Sequence, residues 1–212
     1  MSLKLSLDAS GINKAQKWLA GLQGQLPYAA SRALNDVAKV AAADLNKSTT
    51  TYFDRPTRFT QNAYTVSSYS NKRNLEAVIS PRPIQSRYLT PSIVGGVRPQ
   101  RPSERRLIGV TPAWAPGRDA KLNSSGNMSK AALVKALKGG GQFFTQKTQR
   151  GKLRPGVYQR MKSGAIKQVL AFGRLPTIPK RWPVERIAGE SITAAWAPAL
   201  NKRMAEALRT VK

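Results

Sequence analysis

The sequence predicts an α+β fold: a small antiparallel or mixed sheet with two amino-terminal helices, a loop-rich basic middle and a long carboxy-terminal helix. Three observations carry this. Apolar residues recur at helical spacing near both ends of the chain. Two short apolar-polar runs flank Ser163-Gly164, and a stretch rich in proline, glycine and positive charge fills the middle. With 212 residues, 41% of them hydrophobic, the chain can bury a real core, and we read 1–212 as one domain.

Taken in order, Leu3, Leu5 and Leu7 alternate with Lys4 and Ser6, the pattern of a short strand with one apolar face. Asp8 and Ser10 can cap a first helix near Gly11, with Ile12, Ala15, Trp18, Leu19 and Leu22 on one stripe. Residues 21–25 loosen the chain, and Pro27 suits the first turn of a second helix whose inner face is Ala30, Ala33, Leu34, Val37, Ala41 and Leu45. A turn over 52–60 predicts a short helix starting at Pro56. Leu75, Ala77 and Ile79 predict a strand over 74–80 that Pro81 and Pro83 end.

Residues 88–130 read mostly as an extended loop, with Gly95-Gly96, five prolines and a polar run over 123–129. A short amphipathic helix follows over 129–138, stopped by Gly139-Gly140-Gly141. Residues 156–161 and 166–172 predict an antiparallel hairpin. The last helix spans about 184–210, with Ile192, Trp196, Leu200, Met204 and Leu208 repeating every four residues and Pro198 expected to kink or break it.

The formal net charge is +26, from 36 Lys and Arg against 10 Asp and Glu, with no His and no Cys. Without those two residue types there is no imidazole proton shuttle, no thiolate nucleophile and no ordinary zinc or haem site. The ten carboxylates show no spacing suited to acid-base work or metal binding, and Gly139–Gly141 lacks the Lys-Ser/Thr ending of a phosphate-binding loop. We therefore expect no enzyme activity, cofactor, metal or small-molecule substrate. No run is long and apolar enough to cross a membrane, and the amino terminus lacks a signal core, so synthesis in the cytoplasm is expected.

The charge is concentrated: residues 101–183 hold 18 Lys and Arg against Glu104 and Asp119. Self-repulsion at this level destabilises a compact state unless an anionic partner compensates. Arg101, Arg105, Arg106, Arg118 and Lys121 lead the first half of this block; Lys147, Arg150, Lys152 and Arg154 lead the second. Two partners fit: sequence-independent phosphate contacts to DNA, or the acidic surface of another protein. No recognition motif accompanies the charge, which argues against reading of base sequence. The Trp residues read mainly as packing residues. Trp114, between Pro112 and Pro116, is the one expected to anchor a partner pocket.

Five segments in order carry a resemblance: Phe53–Thr60; Tyr88–Arg98 with Glu104 shortly after; Leu122–Ser129; Leu153–Tyr158 before the hairpin; and the long terminal helix. In this order the chain resembles, over nearly its whole length, the minor tail protein Z family of tailed bacteriophages. One departure is Asn123, where the family pattern carries an acidic residue. The resemblance implies a non-enzymatic virion component at the head-proximal end of the tail, which completes the tail and joins it to the head. It also implies a homo-oligomeric ring, six-fold as such rings commonly are, with neck and tail subunits as neighbours and DNA passing through the lumen. Tyr88, Pro91, Gly95, Gly96, Arg98, Trp114 and Asn127 are then the candidates for contact between subunits, with an ordinary surface turn the rival reading for 88–98. The competing class is a nonspecific nucleic-acid-binding protein of ribosomal-protein type, which shares the charge and the missing cysteine.

Overall fold

The computed structural model describes residues 9–105 and 113–210. The expected strand at Leu3–Leu7 lies outside them. Read as one domain from its length, the chain packs as two compact units.

The first unit comprises the chain to Ser48, residues 62–82 and the chain from Pro183. Helix α1 (Ala9–Tyr52) supplies its long element and is continuous, where the sequence predicts two helices. Pro27 sits inside it without ending it. Pro27 lacks the N–H that would reach the Gln23 carbonyl, and Gln23 is exposed, so water can take that place. The buried face is Ala29, Ala33, Val37, Ala38, Ala41, Ala42 and Leu45, close to the predicted one, with Ala30 and Leu34 half-buried at its margin.

Strands β1 (Tyr64–Ser68) and β2 (Val78–Pro81) form an antiparallel hairpin, Tyr64 opposite Pro81, with an irregularity between Val66 and Ser68. The predicted strand begins at Asn74; its pairing starts only at Val78, because residues 71–74 are used in a turn in which Asn71 Oδ1 accepts from the N–H groups of Arg73 and Asn74. Two asparagines on α1 clamp the hairpin by imitating a backbone partner. Asn46 donates to the Tyr64 carbonyl (2.9 Å) and accepts from its N–H (2.8 Å); Asn35 does the same with Ser70 (3.0 and 2.8 Å). Each thus satisfies both backbone polar groups of its target, Tyr64 at the start of β1 and Ser70 two residues past its end.

Helix α6 (Val184–Thr210) continues through Pro198. It runs antiparallel to α1, since Arg203 reaches Asp36 while Ser191 reaches Asp44. These two aspartates therefore hold the helix pair. The predicted stripe at every fourth residue is half-buried only in its middle, at Trp196, Leu200 and Met204; its ends, Ile192 and Leu208, are exposed, and Ala207 is buried instead. A strict four-residue step drifts about 40° each time around a helix, so it cannot stay on one face over four steps.

The second unit holds residues 49–61 and 83–182. Helix α2 (Arg58–Gln61) starts two residues after Pro56, and α3 (Pro83–Val94) reaches to residue 94 inside the stretch from 88 expected to be loop. Strand β3 (Gly96–Val97), helix α4 (Pro102–Arg105) and strand β4 (Ala113–Pro116) follow. Helix α5 (Lys130–Lys138) matches its prediction: Ser129 Oγ accepts from Ala132 N–H at the N-cap, and Gly139 ends it at φ +65°.

Strands β5 (Phe143–Gln146), β6 (Gly156–Arg160) and β7 (Ile166–Gly173) complete a four-stranded antiparallel sheet in the order β4-β7-β6-β5. The predicted β6–β7 hairpin is present, with Gly164 at φ +80° in its turn. Leu133, Ala136 and Leu137 of α5 pack on the face presenting Trp114, Val157, Leu170, Phe143 and Phe172, and this is the core of the unit. A short strand β8 (Thr177–Ile178) pairs with β3.

Candidate functional site

Helix α1 stops at Tyr52 because Arg55, ahead of Pro56, leaves the helical region; its φ is +43°. Its guanidinium pairs with Asp54 at 3.1 Å. Thr57 Oγ1 accepts from Thr60 N–H (3.2 Å) and opens α2, while the Thr60 hydroxyl meets the Tyr88 hydroxyl of α3 at 3.1 Å. Gln85 of α3 donates to the Phe59 carbonyl (3.2 Å). These bonds fix the first resemblance segment, 53–60, against the second, 88–98.

The third segment joins them. Asn123 Oδ1 accepts from the N–H groups of Ser125 (3.1 Å) and Asn127 (2.9 Å), closing a tight loop with Gly126 at φ +72°. The neutral amide thus does the local capping that a carboxylate would do at this position. A side chain at Gly126 would stand 3.9 Å from an Arg55 guanidinium nitrogen, so this loop lies beside the first segment. A cleft of about 420 Å³ results, lined from the three segments by residues that include Phe53, Arg55, Phe59, Tyr88, Ser125 and Asn127. Arg181 and Ile178 close its far side. Arg181 lies over the Phe53 ring (5.1 Å), and the fully buried Trp182 meets the same ring edge-on at 5.2 Å.

Next to it, Glu104 has no solvent exposure. Its carboxylate accepts from both terminal nitrogens of Arg98 (2.7 and 3.1 Å), from Arg101 N–H (2.6 Å) and from Trp114 N–H (3.2 Å). Burial by itself pushes its pKa up. The bonds from Arg98, Arg101 and Trp114, with the Arg98 charge, outweigh that and hold the carboxyl below its usual range. Arg101 is pushed down by burial and by the Arg98 charge, against the opposing pull of Glu104, and it lies over the Trp114 ring at 4.8 Å. A second cleft of about 740 Å³ is lined by Arg87, Tyr88, Arg98, Pro99, Gln100, Arg101, Pro102 and Arg105. Tyr88, 37% exposed, lines both clefts.

The structure therefore brings Tyr88, Arg98, Arg101, Arg105 and Asn127 to one pair of clefts and separates other candidates from them. Pro91 is buried within α3. Gly95 and Gly96 take φ of +82° and +113°, ending α3 and entering β3, the conformations their side-chain-free backbones allow. Trp114, expected in an open loop as a partner anchor, is 8% exposed in the core, with its indole N–H donating to Ser103. Arg118 and Lys121 are exposed, Arg118 within 3.7 Å of Asp119. Lys147, Arg150, Lys152 and Arg154 are all exposed between β5 and β6, and Arg106 lies outside the described residues.

Sequence reasoning missed Asn35, Asn46 and Gln85, whose side chains do structural work that only the fold reveals. It also missed the pairing of Arg98 with Glu104, although an isolated acid within a basic block is a visible signal. Among the described residues no three carboxylates come together to hold a metal ion. Compared with protein-family models, curated proteins and solved structures, the chain matches none.

Proposed function

We propose that this protein is a non-enzymatic virion subunit of a tailed bacteriophage, assembled in the host cytoplasm, which completes the head-proximal end of the tail and joins it to the head. In this reading it works as a homo-oligomeric ring, with the clefts of the second unit taking neck or tail neighbours and the basic surface facing DNA. The observation that carries the reading is the convergence of three resemblance segments, far apart in sequence, on one cleft. Residues kept together by order along the chain here share a surface, as a contact site requires.

A second reading, nonspecific nucleic-acid binding outside any particle, is favoured by one observation. All three acids of the second unit are already engaged: Asp54 with Arg55, Glu104 with Arg98, and Asp119 with Arg118 and the Gln168 N–H. The exposed cations between β5 and β6, Lys147, Arg150, Lys152 and Arg154, therefore find none of these three carboxylates left to pair with.

Electron microscopy of particles from a phage lacking this gene, with mass spectrometry of purified wild-type particles, separates the two. Separate heads and tails, with the protein present in wild-type virions, are the expected result. Intact infectious particles from the deletion would end the virion reading in favour of the second.

A further inference from the structure

The geometry points to the segment between β5 and β6 as a two-stranded arm that contacts the backbone of B-form duplex DNA. The arm is a continuation of a sheet hairpin. Gln146 pairs with Gly156 at its base, and further out Arg150 and Leu153 exchange two backbone hydrogen bonds of 3.0 Å around a Gly151-Lys152 turn. Gly151 takes φ +57°, and a side chain built there meets no atom within 4 Å. At the base, Gln146 donates to the Thr148 carbonyl (2.7 Å) and the Tyr158 hydroxyl to the Arg154 carbonyl (2.8 Å), which fixes the direction in which the arm leaves the sheet.

Its chemistry selects the partner. Residues 147–152 are Lys, Thr, Gln, Arg, Gly and Lys, all exposed, and Arg154 adds a fourth exposed cation. No Asp or Glu occurs between Asp119 and Glu185, a stretch with 14 Lys and Arg. A protein partner would call for an exposed apolar anchor at the centre of the contact, and the one apolar side chain of residues 147–154, Leu153, is half-buried beside the turn. Unpaired bases would require an aromatic platform, and the tip has none. What remains is a ligand recognised by regularly spaced negative charge alone. The major groove of B-DNA admits a two-stranded ribbon, with phosphates within reach on both sides, whereas the A-form groove of duplex RNA is too deep and narrow.

This deepens the reading of the basic surface as a DNA contact and rests on that reading, but not on the ring or on entry into virions. Fluorescence anisotropy with a labelled duplex of about 25 base pairs and arbitrary sequence, over a salt series, measures it on the full chain. The combined variant Lys147→Ala, Arg150→Ala, Lys152→Ala, Arg154→Ala should lower the slope of log affinity against log salt by about 3 to 4. The charge-keeping set Lys147→Arg, Arg150→Lys, Lys152→Arg, Arg154→Lys should bind as wild type does, and both should keep the wild-type thermal unfolding temperature. Lys130→Ala, Lys135→Ala, Lys138→Ala on α5 is the comparison. An equal loss from that variant, or equal affinity of the wild type for duplex RNA or for poly-glutamate, overturns the assignment. Because the assay uses free protein, its failure leaves the outcome of the deletion experiment untouched.

Discussion

Taking the Glu104 carboxylate out of water costs on the order of several kcal/mol, and four hydrogen bonds, two of them from the Arg98 cation, must offset it. Glu104→Gln removes the charge and strands Arg98, only 11% exposed at its side chain. We expect a loss of about 3 kcal/mol in urea unfolding, and recovery of much of it in the double variant Glu104→Leu, Arg98→Met, since an apolar pair of similar volume often replaces a buried ion pair without loss. A double variant no more stable than the single one would disprove this account. The folded pKa of Glu104 lies below its unfolded value, so its contribution is complete above about pH 4.3 and disappears as pH falls through the folded value. Wild type should therefore lose stability on acidification below that point more steeply than Glu104→Gln does. Both partners were visible in the sequence as residues. Their pairing was not, and neither was the burial of Trp114, because Pro112 and Pro116 read as loop and its strand is completed by β7, more than 50 residues later.

Among the elements, those announced by local chemistry were legible and those made by distant partners were not. Helix α5 carried its own start and stop in Ser129 and Gly139, and the β6–β7 hairpin carried its turn in Gly164. Helix α3 hid behind Pro91 and Thr90, residues that signal a loop; in the fold Thr90 Oγ1 bonds back to the Ser86 carbonyl (2.7 Å), and Pro91 packs its ring inward. The single α1 hid behind Pro27 in the same way, and β1 offered only a brief alternation, Tyr64 and Val66 against Thr65 and Ser67. The sheet also makes a demand that single-residue rules miss. A side chain at Gly156 would place its first carbon 2.3 Å from the Leu170 carbonyl oxygen, and one at Gly117 the same distance from that of Gln168. Both oxygens are backbone and cannot swing away. Gly156→Ala should therefore lower the unfolding temperature well beyond Gly164→Ala, which meets only open space and pays about 1 kcal/mol for its positive φ. Equal shifts in differential scanning calorimetry would mean that β6 and β7 can separate there without loss.

Over the whole molecule the charge divides unequally. The segments of the second unit hold 22 Lys and Arg against three acids, a net +19, and those of the first unit hold 14 against seven, a net +7. In the first unit carboxylates tie helices together, as Asp36 does with Arg203; in the second they are spent inside it. An oligomer that gathers second units around an axis concentrates like charge, and at low salt that repulsion opposes closure. Light scattering should accordingly find smaller species in dilute buffer and larger ones when duplex DNA or polyphosphate is added; a size unmoved by either would mean that the cations lie away from the contacts between copies. The arm with no carboxylate between Asp119 and Glu185 to soften it then acquires a further meaning. On the proposed ring reading, the arm's anion would be the keystone of the assembly, and a closed ring with nothing inside it would be the arrangement this chain is least able to hold.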